Sequence, residues 1–193
     1  MALEGAYFAP SLVTIPVPML LVQQLFGAAG AALAITLRFA PAGWSFSWRQ
    51  SLRARPWHAW LWRFLASALS YLVFYWVFGG LNYALVTKPY YDAHAGGLAV
   101  PAAGTVLALE SVRGLLIVFS VLLLLLSLQG TRRRLVTTTG WLIFAIGGVI
   151  PLFWQVTTLP LLLLLASAGE IFFQNFLTGA VSAGLLGIER TDG

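Results

Sequence analysis

Five long apolar runs dominate the chain, at about residues 15–37, 60–86, 104–128, 135–157 and 160–187. A membrane-spanning helix needs about 20 residues at ~1.5 Å rise each, and every run meets that length. The third contains VLLLLLSL, which leaves a soluble helix no wet face. Only 9% of the residues are charged and 60% are hydrophobic. A soluble domain carries roughly a quarter charged residues. Here there is too little polar material to cover a soluble surface, and lipid as the outer solvent removes that need. The expectation is an all-α polytopic integral membrane protein, a bundle of about five transmembrane helices forming a single domain over residues 1–193.

The boundaries follow from breakers. Pro16 and Pro18 fit the entry of the first run, where missing amide donors cost little. They also leave open a partial or re-entrant first helix. The last two runs are separated only by T-L-P around residues 158–160, which predicts a tight antiparallel hairpin. The alternative is one helix of about 50 residues. Pro151, Pro160, Gln155, Thr157 and Thr158 argue against it.

Charge sets the direction. Arg38, Arg49, Arg53, Arg55 and Arg63 flank the first connection, Arg132, Arg133 and Arg134 fill the second, and Arg190 follows the last run. The opposite side carries only Lys88. Short basic loops stay cytoplasmic, so the expected orientation is N-out and C-in, in a prokaryotic inner (plasma) membrane. The same distribution explains the formal charge of +5 without nucleic acid as a partner. The first ten residues carry Glu4 and no basic residue, unlike a secretory signal, and no lipidation box is expected.

Residues 43–64 read GWSFSWRQSLRARPWHAWLWRF, tryptophans interleaved with arginines. An amphipathic stretch over residues 43–58, lying at the cytoplasmic interface and broken by Pro56, fits this pattern. Trp48, Arg49, Arg53, Arg55 and Trp57 are its candidate contacts to lipid or a partner. An ordinary arginine–tryptophan belt is the plainer account. The opposite connection, residues 87–103, reads TKPYYDAHAGGLAVPAA and suggests an ordered interfacial cap. Its Asp92 and His94 are too few for a structural metal site, and a surface histidine is expected.

Strongly polar groups in hydrocarbon are expensive and tend to face protein or water. Glu110 and Arg113 lie three residues apart on one face of the third run. Glu170, Gln174 and Asn175 lie in the fifth, Gln23 and Gln24 in the first, and Asn82 in the second. Measured from outside, Gln23 is about 12 Å deep, Glu110 about 9 Å, Arg113 about 14 Å and Glu170 about 15 Å. These depths predict a network in which Arg113 faces Glu170, with Glu110 and Gln23 completing it. Ser167, Glu170, Gln174, Thr178 and Ser182 form a stripe on one helical face, expected to point into the bundle. Gly179 with Ala183 and Ala180 with Gly184 offer small-residue spacings for close packing, matched by GAAGAA at residues 27–32 in the first run.

Catalysis finds little support. With no cysteine there is no disulfide, thiolate metal site or cysteine nucleophile. His58 and His94 fall in connections, and neither H-E-x-x-H nor G-x-S-x-G occurs. No cofactor is expected. Two roles remain. One is binding or transport of a small solute, ion or lipid at the intramembrane site, as a homo-oligomer if transport is involved. The other is service as an accessory or assembly subunit among other membrane subunits. A third and weaker alternative is a lipid-modifying enzyme using a carboxylate and an arginine.

Overall fold

A computed structural model describes residues 48–94, 100–128, 130–153, 156 and 160–188. Within them all regular secondary structure is helical. A short helix, α1 (Trp48–Arg53), is followed by Pro56, whose extended backbone starts α2 (Trp57–Asp92). Then come α3 (Ala103–Ser127), α4 (Arg132–Phe144) and α5 (Leu161–Leu186). α4 continues through a π-helical turn, Ala145–Val149, into a last stretch, Ile150–Phe153. The run at residues 15–37 lies outside the described residues.

Three helices are long and apolar enough to cross a membrane: Trp57–Asp92, Ala103–Leu126 and Leu161–Leu186. α4 is less apolar because it opens on three arginines and carries Thr137, Thr138 and Thr139. The distribution of side chains is that of a lipid-solvated bundle. Leu61, Leu65, Leu69 and Val73 form an exposed stripe along α2, while Ser67, Ala68 and Tyr71 on the other face are buried. On α5, Leu161, Leu162 and Leu165 are exposed, whereas Gln174, Thr178 and Ser182 are buried. Large aliphatic groups outside and polar groups inside invert the soluble pattern, and they suit a solvent as apolar as leucine itself. This is consistent with an integral membrane location.

α5 is the central helix and runs antiparallel to both α2 and α4. Arg63 near the start of α2 meets Leu185 near the end of α5, and Phe78 farther along stacks on Phe173. Leu135 near the start of α4 packs with Ala183 and Leu186, and Gly148 beyond it meets Ile171. The α4–α5 approach is close because both helices lack side chains where they cross. A Cβ on Gly179 would stand 2.8 Å from the Thr139 carbonyl oxygen, and one on Gly140 would stand 3.0 Å from the Phe176 ring. Such small residues let backbones approach without a hydrophobic driving force. Thus Gly179, one of the small residues spaced for close packing, packs against α4. α3 packs against α2, also antiparallel, with Gly114 admitting the Tyr71 ring.

α2 is longer than the apolar run from which it was anticipated. It spans 36 residues, about 54 Å, against a hydrocarbon core of about 30 Å. The segment read as a cap from residue 87 therefore begins as helix. It ends at His94, whose positive φ of 50° provides a left-handed stop. Pro89 inside this helix is accommodated by a π turn. A proline removes one amide and crowds the carbonyl four residues earlier, here Leu85. Leu85 lies within the π turn Tyr83–Thr87. The same arrangement recurs in α4: Pro151 stands two residues past the π turn Ala145–Val149, which contains Gly147. Widened turns where prolines intrude are an identifiable source of helix distortion.

Candidate functional site

Two carboxylates are held inside the bundle by different helix pairs. Glu110 on α3 is fully buried. Tyr71 of α2 donates its hydroxyl hydrogen to Glu110 Oε2 at 2.6 Å, and Arg113 Nη1 lies 3.6 Å from the same oxygen. The Arg113 side chain is only 11% exposed, and its guanidinium carbon sits 6.0 Å from the Tyr71 ring centroid. Spacing of three residues puts Glu110 and Arg113 on one face, and that face meets α2. Gly114 makes the meeting possible, since a Cβ there would come within 2.7 Å of Tyr71 Cδ1. The result is a buried Glu110–Arg113 salt bridge within a helix apolar enough to span a membrane, locked to a neighbouring helix by a tyrosine.

Glu170 on α5 is half-buried and faces the C-terminal half of α2. Asn82 Nδ2 donates to Glu170 Oε2 at 2.5 Å. A Cβ on Gly79 would stand 3.1 Å from Glu170 Oε1, so glycine there leaves the carboxylate its place. Gly79 ends one π turn of α2, Tyr75–Gly79, and Asn82 immediately precedes the next, Tyr83–Thr87. Residues 80–82 therefore form a single α-helical turn between two widened ones. π turns commonly mark functional positions, because they redirect side chains and loosen the backbone ladder.

Below Glu170 the polar stripe continues inward. Gln174 and Asn175 are buried, and Thr178 donates to the Gln174 carbonyl oxygen at 2.7 Å. Asn175 lies against the π turn of α4: its Nδ2 would stand 3.3 Å from a Cβ on Gly147 and 3.5 Å from one on Gly148. Among the described residues neither the amide nitrogen nor the amide oxygen of Asn175 has a hydrogen-bond partner, although the residue is 1% exposed. Gln174 Nε2, Asn82 Oδ1, Thr139 Oγ1 and Ser182 Oγ are likewise buried without partners. Native interiors keep few such groups, since each costs ~1–3 kcal/mol when left unsatisfied.

The structure thus brings Glu110 together with Arg113, and places Glu170 above Gln174 and Asn175. Gln23 lies outside the described residues. Asn82, noted in the sequence only as a polar residue of the second run, proves to be a partner of Glu170. Sequence reasoning missed Tyr71 and Gly114. A tyrosine in a membrane helix ordinarily reads as belt, and the need for Gly114 exists only once α2 is placed beside it. Among the described residues no group of three or more histidines, aspartates and glutamates could hold a metal ion.

At the other end, α1 carries Trp48, Arg49 and Arg53, with Arg53 exposed. Trp60 donates its indole N–H to the Leu52 carbonyl oxygen at 3.0 Å, tying α1 to α2. Trp57 is exposed. Arg55 turns inward. It donates to the carbonyl oxygens of Leu185, Leu186 and Gly187 at 3.3, 3.1 and 2.7 Å, and Arg63 donates to that of Leu185 at 2.8 Å. Two cations thereby satisfy the open carbonyls at the end of α5 and oppose the negative end of its dipole. Burial, and then the neighbouring Arg63 charge, push the Arg55 pKa down from its ordinary value.

No family model, curated protein or solved structure matches the chain.

Proposed function

We propose that this is a five-helix integral membrane protein of a prokaryotic plasma membrane, oriented N-out and C-in, which binds a small cation or protonated amine at Glu170. The ligand passes on toward Asn175, making the role one of transport rather than catalysis. Asn175 carries the reading: a primary amide with both ends unpartnered among the described residues at 1% exposure, five residues past a half-buried carboxylate and against a π turn. Asn82 Oδ1, also unpartnered, adds a second oxygen beside Glu170. Oxygen ligands of this kind suit hard cations. Helices interrupted at membrane depth are where transporters place such sites. Orientation is supported by the gathering of Arg55, Arg63 and Arg132 at one end of the bundle, with Lys88 at the other. A bundle this small would transport as a homo-oligomer.

The test is thermal unfolding of the purified protein in sodium, potassium or methylammonium chloride, each against choline chloride at constant ionic strength. A concentration-dependent rise in Tm is expected for at least one cation, and is lost in Glu170→Gln and Asn175→Leu. Equal melting in every salt would overturn the reading. Native mass spectrometry after gentle extraction addresses the alternative directly. A stoichiometric second polypeptide would replace the transport reading with that of an accessory or assembly subunit.

A further inference from the structure

The two basic connections, which the sequence uses to orient the chain and, in the first, offers as contacts to lipid or a partner, converge in space. A cavity of about 410 Å³ lies where α2 and α4 begin and α5 ends. Three arginines line it, one from each of three places: Arg55 before α2, Arg63 in its second turn and Arg132 at the start of α4. No carboxylate is among its described lining residues. Trp62, Leu135 and Leu185 provide an apolar wall, and Gly184 keeps the floor open. We infer that this cavity binds a phosphate-bearing anion, with Arg63 and Arg132 as the phosphate ligands and Arg55 as the post that holds the pocket in shape.

The donor count supports the division of labour. A guanidinium has five N–H donors in a fixed fork. Arg55 directs its two terminal nitrogens to three carbonyl oxygens of α5, so it is committed to the helix end. Among the described residues Arg63 directs only Nη1 to a carbonyl, and its Nε is buried without a partner. Arg132 is exposed at the rim, with its Nη2 3.9 Å from the place a Cβ on Gly184 would occupy. Three like charges around one space repel unless an anion enters. Basic pockets between membrane helices on the cytoplasmic side suit lipid headgroups, and planar forks suit phosphate oxygens. The tryptophan and leucine wall would lie along the glycerol and first methylenes of a lipid. A free phosphate would use the arginines alone.

The experiment titrates the full chain in neutral detergent with dioctanoyl phosphatidic acid, dioctanoyl phosphatidylcholine or inorganic phosphate, following tryptophan fluorescence and Tm. Saturable binding of the phosphatidic acid is expected, at least tenfold tighter than the choline lipid and weakening as salt rises. Arg132→Gln should weaken it about tenfold without disturbing the α5 carbonyl contacts. Gly184→Leu, which fills the cavity and removes no charge, should abolish it. Both variants must keep the wild-type helical circular dichroism. Inorganic phosphate binding as tightly as the lipid would identify the ligand as a free anion, and lipid binding alone would identify a headgroup. Failure of both to bind would overturn the inference, as would unchanged binding in the two folded variants.

Discussion

Glu110 and Glu170 are both glutamates inside helices apolar enough to span a membrane, yet their surroundings differ in kind. Glu110 is fully enclosed, with a tyrosine hydroxyl at 2.6 Å and an arginine on its own helix. Glu170 is half-buried, accepts from Asn82, and is bordered by a segment of α2 that changes helical form twice within 13 residues, 75–87. A charge compensated within its own helix and clamped to the next is suited to fixing two helices in register. A charge beside a loosened backbone, above amides without partners, is suited to meeting a ligand. The same residue type therefore acts as a lock in one place and, by our proposal, as a receptor in the other.

The sharpest way to break this comparison is Glu110→Ala. It leaves Arg113 buried without that counter-charge, a situation that costs about 3–5 kcal/mol in protein interiors. Unfolding titrated with sodium dodecyl sulfate in mixed micelles should register a loss of that order. A loss below about 1 kcal/mol would mean that Glu110 is not the lock. Tyr71→Phe should follow with about 1–3 kcal/mol, the penalty for withdrawing one partner from a buried polar group. Its response to cations should remain that of the wild type. A Tyr71→Phe protein that melts normally but no longer responds would exchange the roles of the two carboxylates.

Glu170→Gln is expected to do the reverse. The side chain keeps its shape and can still accept from Asn82, so the stability change should be about 1 kcal/mol or less. Cation-dependent stabilisation should vanish. The same titration and the same melting series read both effects, which allows direct comparison with Glu110→Ala. A Glu170→Gln protein as destabilised as Glu110→Ala would make both carboxylates structural.

The helical, membrane-spanning character of the chain was legible because runs of leucine and valine with so few charges have no other stable environment. The polar positions of α5 were legible for the same reason, since amides and carboxylates in such a run stand out. The pairing of Glu110 with Arg113 on one face was legible from their spacing, but the cross-helix partners, Tyr71 for Glu110 and Asn82 for Glu170, were not. Pairing depends on the rotation and register of α2 against α3 and α5, and these are set by contacts such as Gly114 against Tyr71 and Gly79 against Glu170. Neither glycine carries a signal in isolation. The second helix was expected to stop at residue 86, whereas it continues to Asp92. A π turn leaves no pattern in hydrophobicity, although the two prolines standing two residues past such turns now supply one. The convergence of Arg55, Arg63 and Arg132 was likewise hidden, since loops distant in sequence become neighbours only through antiparallel packing.

The smallest expected effect isolates the backbone from the carboxylate. Pro89→Ala restores an amide that can reach the Leu85 carbonyl, the group the proline ring crowds. Alanine also favours the α-helix over proline by about 3 kcal/mol in a regular interior. The π turn has already relieved most of that clash, so the net gain in stability should be about 1 kcal/mol or less. Hydrogen exchange at residues 83–88 should slow as the turn Tyr83–Thr87 tightens. Asn82, fixed to Glu170 on the other side of the turn, should hold its place while the tip at residues 88–92 rotates. If the cation response survives this change, the contrast between the two glutamates resides in their side-chain partners. If exchange slows and the response is lost, the widened turn itself belongs to the site, and the corresponding turn before Pro151, against Asn175, becomes the next place to tighten.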